Sequence, residues 1–202
     1  MHLDHVEETI ELAGREVSLL RPASADALID EEAFDDDEFL PYWAELWPSG
    51  TALAAAVDGL DLRRARVLEL GAGLGLPSLA AALGGADVLA TDWAEAAVEL
   101  LRVNAARNRI ALRAERVRWD EPALLLAGTP WDCVLGADLL YESRNADQLL
   151  ELLPLLTGDV LLADPGRPFA KSFLERAAKR WHIETTPEPL APRGGLHRLR
   201  LR

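Results

Sequence analysis

Glu69-Leu70-Gly71-Ala72-Gly73-Leu74-Gly75 is the stretch on which the fold turns. It follows an apolar run, Ala65-Arg66-Val67-Leu68-Glu69-Leu70, that reads as a strand, and precedes a small-residue segment at 77–83 that reads as a helix. Glycines at alternate positions between strand and helix let the main chain turn tightly and approach a nucleotide-like ligand closely. Outward from this loop the same two patterns alternate. Residues 88–92 read as the next strand, and residues 94–108 as a helix with Val98, Leu101 and Ala105 on one face. Further strands are predicted at 116–119, 131–138 and 159–164. Between the last two a helix starts near Ala146 and stops before Pro154. Phe169, Phe173, Leu174 and Ala177 mark a last helix, with Pro168 in its first turn.

Strands alternating with helices predict a parallel sheet covered on both faces. The tail departs from this: residues 181–186 and 196–201 read as strands joined by a Pro/Gly-rich loop too short for a crossover helix, hence an antiparallel hairpin. Upstream, residues 9–12 and 15–20 read as a short hairpin turning at Ala13-Gly14. The acidic run at 30–38 reads as a solvated loop, with a cleft rim that attracts a basic peptide as the functional alternative.

Composition excludes several classes. The 202 residues carry 34 acids against 21 bases, a net charge of -13, which disfavours nucleic acid and anionic membrane surfaces as partners. A single cysteine, Cys133 in an apolar run, rules out a disulfide framework and reads as a buried, inert thiol. The four histidines show no metal-ligand spacing, so no metal is predicted. No apolar stretch reaches the ~18 residues of a membrane helix, and no signal peptide is visible, so the expected compartment is cytoplasmic.

The glycine loop serves two cofactor classes. Dinucleotide enzymes use G-x-G-x-x-G, and here the third glycine position holds Leu76, while the Glu69 carboxylate would repel a pyrophosphate. S-adenosylmethionine enzymes use E/D-x-G-x-G-x-G, which this chain matches at every position, so S-adenosylmethionine is favoured over NAD. Asp92, ending the next strand about twenty residues on, is placed to accept ribose hydroxyl protons.

Three segments together resemble the seven-β-strand (class I) S-adenosylmethionine-dependent protein-lysine methyltransferases. They are Tyr42-Trp43-Ala44-Glu45-Leu46-Trp47-Pro48-Ser49-Gly50, Val67-Leu68-Glu69-Leu70-Gly71-Ala72-Gly73, and Gly136-Ala137-Asp138-Leu139-Leu140-Tyr141. Asp164-Pro165-Gly166-Arg167-Pro168 is similar to the branch acting on the electron-transfer flavoprotein β-subunit and its bacterial relatives. The resemblance spans about residues 42–168. It implies an α/β, Rossmann-like fold with a seven-stranded sheet: five parallel strands plus the C-terminal hairpin, helices on both faces. One domain over 1–202 is expected, with residues 1–48 as hairpin and cap and 49–202 as catalytic core.

Carried over position by position, the resemblance implies that Trp47 closes over the cofactor and that Gly71, Ala72 and Gly73 line its methionine part, with Glu69 supporting the loop. Asp92 becomes the ribose acid, Trp93 and Trp119 border the adenine, Asp120 is an acceptor for its amino group, and Ala137 lies beneath the cofactor. Asp138 and Tyr141, in a D-x-x-Y element past a strand end, position the accepting amine. Leu139 and Leu140 replace the prolines of the N/D-P-P-Y motif of nucleic-acid and glutamine methyltransferases. The implied products are a methylated lysine and S-adenosylhomocysteine. The implied partner is a protein with an accessible lysine, not nucleic acid or membrane, and the enzyme is expected to be a monomer. Arg167 either contacts an acidic partner or braces its loop. Two other functions remain open: a small-molecule (nicotinamide-like) N-methyltransferase, and a non-catalytic cofactor-binding module.

Overall fold

In the computed structural model the described residues are 4–12, 14–25, 28 and 41–202. The amino-terminal hairpin pairs β1 (His5–Leu12) with β2 (Arg15–Pro22) as a two-stranded sheet of its own. The chain then winds through α1 (Pro48–Asp58), β3 (Arg66–Leu70), α2 (Leu76–Leu83), β4 (Asp87–Asp92), α3 (Glu95–Arg107) and β5 (Arg113–Arg116). There follow α4 (Ala123–Ala127), β6 (Cys133–Ala137), α5 (Ser143–Leu156), β7 (Asp159–Asp164), α6 (Ala170–Ala177), β8 (Trp181–Glu188) and β9 (Ala191–Leu201). Seven strands form one sheet in the order β5-β4-β3-β6-β7-β9-β8. The first five pair in parallel, and β9 is antiparallel to both of its neighbours.

Side-chain alternation builds two cores. Along β7, Leu161 and Ala163 enter one core and Val160 and Leu162 the other; β3 and β6 alternate likewise. The first core takes apolar faces from α1, α2 and α3, the second from α4, α5 and α6. Both faces of the sheet are therefore covered, the condition under which a parallel sheet is stable. Val98, Leu101 and Ala105 of α3 are buried, as their spacing predicted. Cys133 is buried as well, and desolvation pushes its thiol up to about 12, outside the range of a reactive thiolate.

The hairpin is fastened to α3 by side-chain amides. Asn104, fully buried, accepts the Leu20 N–H at 2.8 Å and donates to the Leu20 carbonyl at 2.9 Å. One turn on, Asn108 does the same for Ser18, at 2.8 and 2.7 Å. Two amides at i and i+4 thus satisfy a strand edge that would otherwise lack partners.

Several boundaries differ from the expected ones. The third strand of the main sheet spans Arg113–Arg116 rather than 116–119, because its partner β4 ends at Asp92, opposite Arg116. Val117 gives its N–H to the Asp92 carbonyl, and the chain then leaves the sheet. Helix α5 runs through Pro154 to Leu156. Burying Leu152, Leu153 and Leu156 outweighs the one backbone hydrogen bond that a proline near the helix end removes. Pro168 lies before α6, not in its first turn. Most of the supposed C-terminal loop is strand: β8 and β9 continue to Glu188 and from Ala191, with a register shift between Thr186 and Glu188. Helices α1 and α4 are additional to the elements expected from the sequence. The acidic run at 30–38 lies outside the described residues. Among the described residues no helix is long and apolar enough to cross a membrane.

Candidate active site

All three loop glycines adopt left-handed backbone: φ is 60° at Gly71, 52° at Gly73 and 72° at Gly75. A Cβ at Gly71 would also come within 2.6 Å of Leu139 Cδ2, and one at Gly75 within 2.3 Å of Leu101 Cδ1. The alternate-glycine spacing is therefore demanded by conformation and by packing, beyond tight turning alone. The loop is tied to β4 by the Ala72 N–H, which donates to the Thr91 carbonyl at 2.9 Å.

Two buried acids organise this loop. Glu69 accepts hydrogen bonds from the Ser78 N–H at 2.9 Å and from the Ser78 hydroxyl, so it anchors the first turn of α2. Burial pushes its carboxyl up to about 8 against the opposing pull of the Ser78 bonds. Asp92 accepts the Gly73 N–H at 2.8 Å on one oxygen and the Ala94 N–H at 3.0 Å on the other. Desolvation raises its carboxyl too, and those backbone bonds oppose the shift. A carboxylate offers about four lone-pair directions, so Asp92 retains capacity to accept from a ligand's hydroxyls.

Loop and acids face a cleft of about 310 Å³, within the range of small-molecule sites. It lies at the carboxyl ends of β3, β4 and β6, where the strand order reverses, the usual ligand crevice of an open α/β sheet. Trp47, Glu69, Gly71, Ala72, Gly73, Asp92, Trp93, Trp119, Ala137, Asp138 and Tyr141 all line it. Trp119 reaches it because the chain has already left the sheet at Arg116. Trp93 follows Asp92 onto the rim with 36% exposure, and its carbonyl accepts from Arg116 Nε at 2.8 Å. Asp120 also lines the cleft, but its carboxylate is engaged by the Arg118 guanidinium at 2.8 Å. Trp131 and Trp181 are core residues, 3% and 1% exposed.

The cleft's outer end is built around Asp138. It has a left-handed φ of 60°, is 8% exposed, and follows directly on β6. Its main-chain N–H donates to the Ala163 carbonyl at 2.9 Å. One carboxylate oxygen accepts Arg167 Nε at 2.5 Å and the other accepts the Ser49 hydroxyl at 3.1 Å. The Arg167 guanidinium also lies over the Trp47 ring, 5.3 Å from its centroid. Trp47 is fixed by its indole N–H, which donates to the Tyr42 carbonyl at 2.8 Å. Tyr42 in turn packs against Tyr141, with ring centroids 5.5 Å apart. Burial raises the Tyr141 phenol above its ordinary value, so it is a neutral hydrogen-bonding wall.

The family comparison agrees with this geometry. A model described as a lysine methyltransferase matches residues 42–171, the larger part of the chain. The chain belongs to this lysine methyltransferase family. A relative from Xenopus laevis, electron transfer flavoprotein beta subunit lysine methyltransferase, is 36% identical over 137 residues, covering 63% of this chain and 53% of that protein. Protein N-lysine methyltransferase METTL21A of Danio rerio is 35% identical over 127 residues, covering 59% and 58%. The chain thus spans about half the length of the curated relatives it matches. In fold it is similar to magnesium protoporphyrin IX methyltransferase from Synechocystis PCC 6803, solved with bound SAM. The TM-score is 0.61 at 16% identity, over 88% of this chain and 96% of that one.

Every family position inferred from sequence falls inside the matched region and on one cleft. Two partners of Asp138 come from segments distant in sequence. Ser49 lies in the quoted Trp-Pro-Ser-Gly run, but nothing in its spacing links it to Asp138, 89 residues away. For Arg167 the brace is what the structure displays: it closes an ion pair across 29 residues.

Proposed function

We propose that this member of the lysine methyltransferase family transfers a methyl group from S-adenosylmethionine to a lysine side chain of a protein. The observation that carries this is the position of Asp138, a carboxylate at the end of a central strand, on the same cleft as the glycine loop and Asp92. The residues fit the cofactor. The left-handed cradle at Gly71 leaves no room for a Cβ, Asp92 keeps acceptor capacity for ribose hydroxyls, and Trp93 and Trp119 offer flat apolar faces. The Asp92 carboxyl on the lining, with no basic partner of its own among the described residues, disfavours a pyrophosphate, while the buried Glu69 serves to hold the loop on Ser78.

S-adenosylmethionine supplies an electrophilic methyl on a sulfonium. Held by the glycine loop and Asp92, it would offer that methyl to a neutral lysine nitrogen, the sulfur keeping the electron pair of the C–S bond. The products are a methylammonium and S-adenosylhomocysteine. An unperturbed lysine has a pKa of about 10.4, so presenting it neutral at pH 7 costs about 4–5 kcal/mol. Desolvation in the cleft and a nearby positive charge both lower that cost. Asp138 receives and orients the arriving ammonium, which must give its proton to solvent before transfer, and Tyr141 and Trp47 then wall the path of the neutral amine. Positioning and desolvation provide the acceleration, without a strong base. The electron transfer flavoprotein β-subunit is the specific substrate favoured by the relatives' names and the Asp164–Pro168 segment.

Calorimetric titration tests the cofactor half of this function. The wild-type chain is expected to bind S-adenosylmethionine one-to-one, and Asp92→Asn to weaken binding on the order of tenfold to a hundredfold. A wild-type chain that takes up no S-adenosylmethionine would rule the function out.

A further inference from the structure

Asp138, Arg167 and Trp47 line two cavities. Besides the main cleft they border a second recess of about 430 Å³, completed by Pro48, Pro165, Gly166, Pro168, Leu190 and Arg193. The three residues therefore form a septum between them.

The recess is built by close backbone approach. Asp164, buried at the end of β7, accepts the N–H groups of Gly166 and Arg167 at 2.7 and 2.8 Å on one oxygen, curling the loop so that Arg167 points back to Asp138. A Cβ at Gly166 would lie 2.7 Å from the Arg193 carbonyl oxygen, so the start of β9 rests directly on this turn. Arg193 and Arg167 thereby both line the recess. Leu190, 45% exposed in the β8–β9 turn, and the prolines supply apolar contact area.

Charge distinguishes this recess from the rest of the chain. On a protein of net charge -13, its described lining holds two guanidinium groups and one carboxylate, and that carboxylate is already paired with Arg167. Arg193 is exposed and has no ion-pair partner among the described residues. A basic peptide finds nothing here to pair with except by displacing Arg167. A segment with a carboxylate beside its lysine finds both partners.

We propose that this recess docks the acceptor segment and selects a lysine that has an acidic neighbour. The inference rests on the methyltransferase function above. In it, the incoming lysine takes Asp138 from Arg167. The released Arg167 guanidinium, together with Arg193, takes the neighbouring carboxylate of the substrate. The exchange replaces the one Asp138–Arg167 pair with two, lysine on Asp138 and carboxylate on Arg167, so opening the septum leaves no buried charge unpaired. A lysine without an acidic neighbour would strand Arg167 over Trp47.

The test uses three synthetic peptides with the same central lysine, flanked by Asp/Glu, by Ala or by Arg, and labelled S-adenosylmethionine. Wild-type protein is expected to methylate the acidic peptide with kcat/KM on the order of tenfold above the alanine peptide, the scale of one charge-assisted hydrogen bond. The arginine-flanked peptide should be poorer still. Arg193→Glu, an exposed change checked by its melting temperature, should abolish or invert the preference mainly through KM. Equal rates for the three peptides, an unchanged preference in Arg193→Glu, or no methylation of any peptide by protein that binds S-adenosylmethionine would each overturn the docking proposal. Failure to bind S-adenosylmethionine would instead strike the methyltransferase function itself.

Discussion

Asp138→Asn is expected to lower methyl transfer by about a hundredfold or more while leaving S-adenosylmethionine affinity within about twofold. Asparagine is the informative substitution because residue 138 has a φ of 60°, a region where Asn and Asp are tolerated and alanine is strained. The main-chain bond to Ala163 and the polar contact with Ser49 can both survive. What is lost is the negative charge that holds Arg167 in the unliganded protein and that receives the ammonium of the acceptor. Cofactor affinity should hold because its main polar contacts are assigned to the glycine loop and Asp92. Single-turnover transfer with saturating S-adenosylmethionine measures the effect. A rate within about threefold of wild type would remove Asp138 from the chemistry.

Gly194→Ala is expected to be the most destabilising single-methyl addition in the carboxyl-terminal half. A Cβ there would lie 1.9 Å from the Asp164 carbonyl oxygen and 2.5 Å from the Gly166 nitrogen. Both are backbone atoms, so no side-chain rotation relieves the clash, and β9 or the Asp164–Arg167 turn must shift. Overpacking of this kind costs about 3 kcal/mol, which for a chain of this size lowers Tm by roughly 6–12 °C. Because the displaced turn carries Arg167, the Asp138 ion pair should loosen as well. Gly50→Ala serves as the control for stability: nothing lies within 4 Å of its Cβ, and inside α1 the added methyl should hold or raise Tm. Equal Tm values for the two variants would contradict the packing of β9 on the 164–166 turn.

How much of this was legible in the sequence depended on period and on partner. Strands β3, β4 and β7 stand out as apolar runs because they are buried on both faces, and their ends are near those expected. The edge strand β5 has a single buried residue, Ala114, so its position follows from where β4 ends, which no local pattern records. Pro154 reads as a helix stop, yet three buried leucines around it carry α5 one turn further. Gly194 and Gly195 read as loop, whereas in the fold they let β9 lie against the main chain of the 164–166 turn and of Thr186. The candidate site was legible because its residues sit in short motifs at strand ends. The Ser49–Asp138–Arg167 contacts were not, since they join three separate segments and depend on how those segments pack.

The most direct test of the account is the destination of the methyl group. Purified protein is incubated with S-adenosylmethionine labelled on the methyl and with cell extract, and the acid-precipitable and acid-soluble fractions are counted. Label retained on a protein band, mapped by mass spectrometry to lysine and absent with Asp138→Asn, is the result expected. Label confined to the acid-soluble fraction, or to no fraction above background, would contradict protein-lysine methylation.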